Sequence, residues 1–217
     1  YIGLPTASLL GTKGYTVTGV DVSPKVVDTI NQGKIHIVEP DLDILVKSAV
    51  NSGNLKASLE PVKADVFIIA VPTPFKDNFV PDLSYVEQAS KAIAPFIEPG
   101  NLVILESTSP VGTTEEYVAK IFQEYGHDTD KDVFVAHCPE RVLPGRILIE
   151  LVQNDRIVGG INPKSTTAAA NFYKEFVSGQ VLETDSRTAE LSKLTENSFR
   201  DVNIAFANEL SLICDKE

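Results

Sequence analysis

The sequence predicts an α/β protein with a Rossmann-like, doubly wound and mostly parallel sheet, followed by a long helix. Strand-like and helix-like segments alternate along the chain, which is typical of βαβ units. Two apolar runs, 65–71 and 101–107, have the composition of buried strands in parallel sheets. From about residue 187 to 217 no glycine or proline interrupts a helical pattern of about 30 residues, far beyond the mean of ~11–12 residues.

The elements between these landmarks follow from local signals. Ser23 and Pro24 mark the N-cap and first position of one helix, and Asp41 is expected to cap the next. In chain order we expect strands at 15–21, 54–58, 65–71, 101–107, 132–138, 156–161 and 180–184. We expect helices after residue 23, from 41 to about 52, at 84–97, at 113–125, shortly after 145, at 163–177 and from about 187.

The N-terminal end fits the second half of a dinucleotide-binding fingerprint. Gly3 precedes the first strand, and Asp21 ends that strand eighteen residues later. This spacing suits a glycine that packs helix against strand, followed by a carboxylate for ribose hydroxyls. Because the first strand of this topology lies in the middle of the sheet, we expect a strand and two more glycines before Tyr1. The chain contains no methionine, so we also expect that it does not begin at the translation start.

Two threonine loops follow the two apolar strands. Thr73 lies between two prolines and Thr108 lies shortly before Pro110. Ser/Thr-Pro sequences also terminate strands as ordinary turns. Two such loops at carboxyl ends of the sheet favour a ligand site, because open α/β sheets bind ligands there.

Bulk composition excludes several classes of function. With 43% hydrophobic and 23% charged residues, the 217-residue chain is typical of a globular protein. A formal net charge of −11 disfavours nucleic-acid and anionic-membrane partners. No apolar run approaches the ~20 residues of a membrane span, and no metal-binding pattern is present. Two cysteines are consistent with a reducing cytoplasm.

Charged residues cluster in a loop after the predicted strand 132–138. This loop, residues 139–146, contains Glu140 and Arg141 between Pro139 and Pro144. Its composition alone fits a solvated surface loop. The prolines also give the rigidity that a general base or a phosphate-binding arginine needs.

The long helix carries a polar stripe formed by Lys193, Asn197 and Arg200, at i, i+4 and i+7. We expect this stripe to face a ligand or a partner subunit rather than solvent. The opposite side is expected to form a core-facing apolar ridge. Its members are Leu191, Val202, Phe206 and Ile213.

Several segments resemble the UDP-glucose/UDP-N-acetylmannosamine 6-dehydrogenase family in order and spacing. They include YIGLPTA, GVD, IHIVEPDL, AVPTPF, ESTSPVGTTE, CPERVLPG, DRIVGGI and SRTAELSKLTENSFRDVNIAFANEL. The last segment and CPERVLPG resemble the UDP-N-acetylmannosamine branch. UDP-glucose enzymes usually have a second glutamate four residues after the first, where this chain has Pro144.

The resemblance implies NAD as cofactor. Tyr1, Ile2 and Gly3 would lie under the pyrophosphate, Asp21 would bind the adenosine ribose, and Thr73 and Thr108 would flank the nicotinamide. NADP is disfavoured, because Asp21 would repel a 2′-phosphate.

The resemblance also implies the substrate and catalytic residues. Arg141, the backbone of Val142, Asn197 and Arg200 would hold the UDP-sugar together with Lys193. Lys193 would exchange a proton with the C6 oxygen or stabilise its charge, Asn197 would donate to the same oxygen, and Glu140 would orient or activate water, helped by Thr108.

The family reaction consists of two hydride transfers from C6 to NAD through an aldehyde held on a cysteine. That cysteine belongs to a Gly-Gly-His-Cys segment that this chain does not contain, and Cys138 is expected to be a small buried apolar residue.

The expected domains are an NAD-binding domain at 1–186 and the start of a central dimerisation domain at 187–217, with a UDP-binding domain outside this chain. We expect a homodimer through the 187–217 helix. Three alternatives stay open. They are a UDP-N-acetylglucosamine or UDP-glucose 6-dehydrogenase, a β-hydroxyacid dehydrogenase, and a nucleotide-binding module without catalysis.

Overall fold

The computed structural model describes residues 2–216 and contains the α/β fold that the sequence predicts. The strands are β1 (Val17–Val20), β2 (Leu55–Ser58), β3 (Val66–Ile69), β4 (Leu102–Leu105), β5 (Phe134–His137), β6 (Arg156–Gly160) and β7 (Val181–Asp185). The α-helices are α1 (Gly3–Thr12), α2 (Pro24–Asn31), α3 (Leu42–Asn51), α4 (Ser84–Ile93), α5 (Ala119–Glu124), α6 (Ile147–Gln153), α7 (Pro163–Lys174) and α8 (Ser186–Cys214). The strand–helix alternation is therefore confirmed.

The strands form two hydrogen-bonded groups. β1 pairs with β2, and a five-stranded sheet has the order β3-β4-β5-β6-β7. Every pair is parallel except β5 and β6, which are antiparallel. Within residues 2–216, β1 and β2 pair only with each other, and β3 and β7 are the outer strands of the five-stranded sheet.

Helices cover both faces of the five-stranded sheet. On one face α6 and α7 pack on β4, β5 and β6 around Ile104, Ala136 and Val158. On the other face α4 and α5 pack on β3 and β4 around Phe67 and Val103. A third apolar cluster joins α1, α2 and α3 to β2. This doubly wound arrangement brings the carboxyl ends of β3, β4 and β5 to one edge, next to the start of α8.

Two glycines at the end of β6 allow the closest approach in the fold. A Cβ at Gly159 would lie 2.1 Å from the carbonyl oxygen of Asp185 and 2.9 Å from the Cβ of Ala189. A Cβ at Gly160 would lie 2.2 Å from the amide nitrogen of Thr166. The first turn of α8 therefore packs directly on the backbone of β6.

Several details of the predicted helices need correction. Ser23 and Asp41 occupy the N-cap positions of α2 and α3, but neither side chain caps its helix. Asp41 has a φ of 60°, a left-handed conformation outside the extended region that an N-cap side chain normally uses. The predicted helix 113–125 begins as a π-helix, Thr113–Val118, and continues as α5.

The apolar ridge on α8 does not face the core. Leu191, Val202, Phe206 and Ile213 are 54–67% exposed. Buried residues of α8 are confined to its first turns, at Ser186, Ala189 and Glu190. The prediction of a core-facing ridge is wrong for this chain, because α8 extends beyond the sheet. Among residues 2–216, no helix is both long enough and apolar enough to span a bilayer.

Candidate active site

The two threonine loops lie side by side at the edge of the sheet. The hydroxyl of Thr73 donates to the carbonyl oxygen of Thr108 at 2.6 Å. The hydroxyl of Ser107 donates to the carbonyl oxygen of Val71 at 2.7 Å. Parallel pairing of β3 with β4 places both strand ends at the same level, and the side chains then join the loops. Both threonines are half-buried.

The N-terminus of α1 lies on the same side of the fold. Ile2 is its N-cap, no side-chain hydrogen bond is made by this cap, and the first turn contains no acidic residue. A Cβ at Gly3 would lie 3.9 Å from the Cβ of Ala70, an ordinary contact, so packing against the strand does not by itself require this glycine. Tyr1 lies outside the described residues.

Asp21 follows β1 and is half-buried. Its Oδ1 accepts a hydrogen bond from the amide of Ser23 at 2.9 Å. This bond fixes the side chain and uses one carboxylate oxygen for the turn, so the other can accept from a ligand hydroxyl.

Glu140 is held in place by a buried arginine. Its Oε2 accepts from Nη1 of Arg156 at 2.7 Å, and its Oε1 accepts from the amide of Arg141 at 2.7 Å. Arg156 is 2% exposed, donates to the carbonyl oxygen of Leu151 at 3.0 Å, and lies over the ring of Tyr173 at 5.4 Å. Two charge-assisted or backbone hydrogen bonds therefore fix the orientation of this carboxylate.

The antiparallel pairing of β5 and β6 explains this contact. Ala136 pairs with Gly160 and His137 with Gly159. Continuing the register three residues further sets Glu140 opposite Arg156, at the first residue of β6. The antiparallel register of the sheet therefore places Arg156 next to Glu140 of the 139–146 loop.

A second carboxyl group lies in the same cluster. Glu106, directly after β4, accepts from the hydroxyl of Tyr173 at 2.7 Å, and its Oε2 has no hydrogen-bond partner among the described residues. Burial raises the pKa of Glu106 to about 7, the charge of Glu140 adds to this rise, and Arg156 opposes it. Burial and the nearby charge of Glu140 therefore favour a neutral Glu106.

The end of the 139–146 loop is fixed by Glu39. This residue is 4% exposed, and its carboxylate accepts from the amides of Gly145 at 3.0 Å and Ile147 at 2.9 Å. These amides lie at the start of α6, where a negative charge is favourable. The loop is consequently anchored by buried ionic groups at both ends.

α8 contacts the loop through an ion pair. Arg141 donates from Nε to Oε2 of Glu196 at 3.0 Å and from Nη2 to the other oxygen. Burial lowers the pKa of Lys193, an effect that the charges of Glu196 and Glu140 partly oppose. Lys193 and Glu140 thus lie within electrostatic range of each other, although they come from elements far apart in sequence.

The remaining residues of the polar stripe are more open. Oδ1 of Asn197 accepts from Nη2 of Arg200 at 3.0 Å. Both residues, with Ile204, line a shallow depression on α8. The side chain of Val142 packs against the apolar cluster that contains Ile104 and Val158.

Sequence comparisons agree with this arrangement. Residues 1–177 match the UDP-glucose/GDP-mannose dehydrogenase family, NAD binding domain, and residues 187–217 match its central domain. An NDP-N-acetyl-D-galactosaminuronic acid dehydrogenase of Ralstonia nicotianae is 58% identical over 100% of this chain and 53% of its own length. A UDP-N-acetyl-D-mannosamine dehydrogenase of Campylobacter jejuni is 58% identical over 100% of this chain and 55% of its own.

The chain belongs to the UDP-glucose/GDP-mannose dehydrogenase family. Among solved structures, the UDP-N-acetyl-mannosamine dehydrogenase Cap5O of Staphylococcus aureus superposes with a TM-score of 0.94 at 46% identity, covering 99% of this chain and 52% of that one. The chain therefore spans about half the length of the curated relatives it matches. The resemblance inferred from the motifs is confirmed.

The residues at the sheet edge fit the family's NAD. The helix start at Gly3 offers amides without an acidic neighbour in its first turn, as a pyrophosphate requires. Asp21 has the place of the ribose-binding carboxylate in dinucleotide folds. NAD would accept the hydride.

Cys138 does not provide a nucleophile. It is fully buried, and burial raises the pKa of its thiol to about 12. A thiol is nucleophilic as the thiolate, so this residue is inert, as its position at a strand end predicts.

Sequence reasoning missed the buried charges behind the site. Arg156 begins an otherwise apolar strand, Glu106 directly follows another, and Glu39 lies in a loop. A charged residue within an apolar strand is a usable signal, because a buried charge needs a partner. It does not say which partner.

Proposed function

We propose that, in the full-length protein, this chain forms the NAD site and one wall of the sugar site of a UDP-N-acetyl-D-mannosamine 6-dehydrogenase. The enzyme would oxidise C6 to the carboxylate of UDP-N-acetyl-D-mannosaminuronate in two successive hydride transfers. Its product would enter polysaccharide biosynthesis. The single observation that carries the proposal is that the Arg141–Glu196 pair joins the 139–146 loop to the part of α8 that carries Lys193.

Lys193 is suited to proton exchange at the C6 oxygen. Burial lowers the pKa of its ammonium, which makes a proton easier to release than from a solvated lysine. In its charged form the same group would stabilise negative charge on that oxygen. Asn197, one turn away on the half-buried side of α8, would add a hydrogen bond to it.

Glu140 is suited to orient and activate the water that releases the product. Its carboxylate is 9% exposed and fixed by Arg156. A general base must lie within hydrogen-bond reach of the proton it takes, and a fixed carboxylate satisfies that condition with little loss of entropy. Thr108 would help to place the same water. The covalent step would need a cysteine from outside this chain, since Cys138 is buried and neither Cys138 nor Cys214 belongs to a Gly-Gly-His-Cys segment.

Arg141, the backbone of Val142 and Arg200 would bind the UDP-sugar. The Arg141 side chain is already oriented by Glu196, which leaves its backbone and remaining donors toward the loop. Arg200 is exposed, as a group that meets a phosphate needs to be. On the cofactor side, Ile2, Gly3, Asp21, Thr73 and Thr108 would contact NAD, and Tyr1 is proposed to join them.

A second substrate deserves a direct comparison because a relative with 58% identity is named for N-acetyl-D-galactosaminuronic acid. The full-length protein should be assayed with UDP-N-acetylmannosamine, UDP-N-acetylgalactosamine, UDP-N-acetylglucosamine and UDP-glucose. We expect the highest kcat/KM with UDP-N-acetylmannosamine. The highest value with UDP-glucose would contradict the proposed substrate. No NADH formation with any of the four would leave only a nucleotide-binding module.

Removal of the Lys193 ammonium tests the catalytic assignment. We expect Lys193→Met to lower kcat by about 10²- to 10⁴-fold, the usual contribution of a positioned proton donor, while the Kd for NAD stays within about threefold. Stopped-flow NADH absorbance and a fluorescence titration measure the two quantities. A Lys193→Met variant with unchanged kcat would remove this residue from the mechanism.

We also propose that two copies associate through the exposed apolar side of α8. A helix with this many exposed apolar residues usually packs against something, and a two-fold contact would cover the same face on both copies. Its members include Phe199, Val202, Phe206, Leu210 and Ile213. We place the protein in the cytoplasm, which its free cysteines, Cys138 and Cys214, support.

A further inference from the structure

Glu190 is a buried carboxylate at the start of α8 that the catalytic assignments do not use. It is 0% exposed. Its Oε2 accepts from the amide of Gly112 at 2.5 Å. Its Oε1 accepts from the amide of Thr114 at 2.8 Å and from the hydroxyl of Thr114 at 2.6 Å. Both carboxylate oxygens therefore accept hydrogen bonds from one short segment, residues 112–114.

That segment continues the loop that carries Thr108. Gly112 has a φ of 94°, a conformation that favours glycine, and it is the N-cap of the π-helix Thr113–Val118. No side chain of the π-helix caps its own start. Glu190 provides this cap from another element, and its negative charge lies at the positive end of the helix. The carboxylate thus joins α8 to the Thr108 loop.

The neighbouring residue fixes α8 on a second side. Ala189 is fully buried and packs on β6, where a Cβ at Gly159 would lie 2.9 Å from its own Cβ. Consecutive helix residues point about 100° apart. Contacts at Ala189 and Glu190 together therefore determine the rotation of α8 about its axis as well as its distance from the sheet.

Lys193 lies on α8 three residues after Glu190. It lies about 4.5 Å further along the axis and about 60° around it from Glu190. A small rotation of the helix would therefore move the Lys193 ammonium relative to Thr108 and Glu140.

We propose that Glu190 is a positioning residue that sets the rotation of α8 and so aims Lys193 at the C6 oxygen of the proposed substrate. This inference rests on the proposed function, because it concerns the aim of the proposed catalytic lysine. Glu190 itself would touch neither substrate nor cofactor.

A nearby arginine offers a matched comparison. Arg187 joins the same two elements, with Nε donating to Glu115 at 3.0 Å and Nη2 donating to Glu116. Its side chain is 47% exposed, and exposed ion pairs contribute little. If any link between these elements sufficed, the two residues would matter equally.

The experiment is a double-mutant cycle in the full-length protein, measured as kcat with UDP-N-acetylmannosamine and NAD. We expect Glu190→Gln to lower kcat by about 10²-fold, since misplacement by about 1 Å costs that much, with the Kd for NAD within about threefold of wild type. Arg187→Gln should change kcat by less than about threefold. In a Lys193→Met background, Glu190→Gln should lower kcat by less than about threefold more.

Three results would overturn the inference. They are an unchanged kcat in Glu190→Gln, a further loss of about 10²-fold in the Lys193→Met background, and an equal loss in Arg187→Gln. A fully active Lys193→Met variant would instead refute the proposed catalytic role, and this inference with it. Thr114→Val keeps the shape of the side chain and removes one hydrogen bond to Glu190, so it tests the same link if Glu190→Gln does not fold. We expect it to lower kcat several-fold.

Discussion

The loop side of the candidate site and the helix side differ in what surrounds their charged groups. Behind Glu140, Arg156 is 2% exposed and Glu106 is 4% exposed. Along α8, Phe199 is 72% exposed and Val202 67%, and Arg200 is exposed as well. The loop side is completed by this chain's own core, whereas the helix side leaves both polar and apolar groups uncovered.

Glu140 on the loop side and Lys193 on the helix side are held in place by different interactions. Glu140 is held by buried ionic hydrogen bonds, which are strong and costly to break. Lys193 is held by the anchoring of the first turns of α8, and everything beyond it depends on what covers the helix. Substitutions on the loop side should therefore change stability, and substitutions on the helix side should change association.

The largest effect is expected for Arg156→Met, which leaves the charge of Glu140 buried without its partner. We expect the free energy of unfolding at pH 7 to fall by about 3–5 kcal/mol, as for other broken buried pairs. Urea denaturation measures it. Arg146→Met is the matched control, since Arg146 is 67% exposed and lies 3.8 Å from Glu150, and should change stability by about 0.5 kcal/mol or less. If both variants lost the same free energy of unfolding, the buried ion pair would stabilise the fold no more than the exposed one.

Glu106 gives a pH-dependent effect of intermediate size. Its pKa rises from 4.5 to about 7 on folding, so the folded state binds its proton more tightly than the unfolded state. The stability that this group contributes is complete below pH 4.5 and is lost as the pH rises through 7, by about 3 kcal/mol in all.

The Glu106→Gln variant stays uncharged and should lack this loss. Relative to wild type, its free energy of unfolding should increase between pH 4.5 and pH 7.5, with most of the change below pH 7. Urea denaturation across this range measures the difference. Glu124→Gln, at an exposed position, should show no such trend. If the free energy of unfolding of Glu106→Gln changed with pH in the same way as that of wild type, the raised pKa of Glu106 in the folded state would be contradicted.

The smallest expected effect concerns the uncovered helix. Phe206→Asp should weaken self-association of the full-length protein at least tenfold, about 1.4 kcal/mol, because it places a charge in the proposed apolar contact. Sedimentation equilibrium measures the dimer Kd. Phe79→Asp is the control, since Phe79 is 83% exposed but lies outside α8. A full-length protein that is monomeric without any substitution would contradict the proposed contact through α8.

The sequence predicted the fold because its signals are local. Alternating apolar runs and a helix without breakers identify the elements, and a seven-residue span places Lys193, Asn197 and Arg200 on one face. Thr73 and Thr108 could be brought together for a similar reason, since parallel strands end at the same edge. That expectation is confirmed by the hydrogen bond between them.

The buried ionic contacts could not be predicted in the same way. The pairing of Glu140 with Arg156 depends on β6 running antiparallel to β5, and sequence patterns do not reveal strand direction. Glu190 was hidden by a helical pattern in which its position looks like that of any solvated glutamate. The prediction that the α8 ridge faces the core failed for a different reason. Periodicity indicates that a helix has an apolar face, but it does not indicate what covers that face.

Gly159 and Gly160 limit how such a site can be redesigned. With only a hydrogen atom between the backbone of β6 and its neighbours, there is no clearance through which the helix carrying Lys193 could be shifted to suit a larger or smaller ligand. If the proposed function is right, differences in specificity between variants should therefore lie in the 139–146 loop, while the two glycines of β6 are kept.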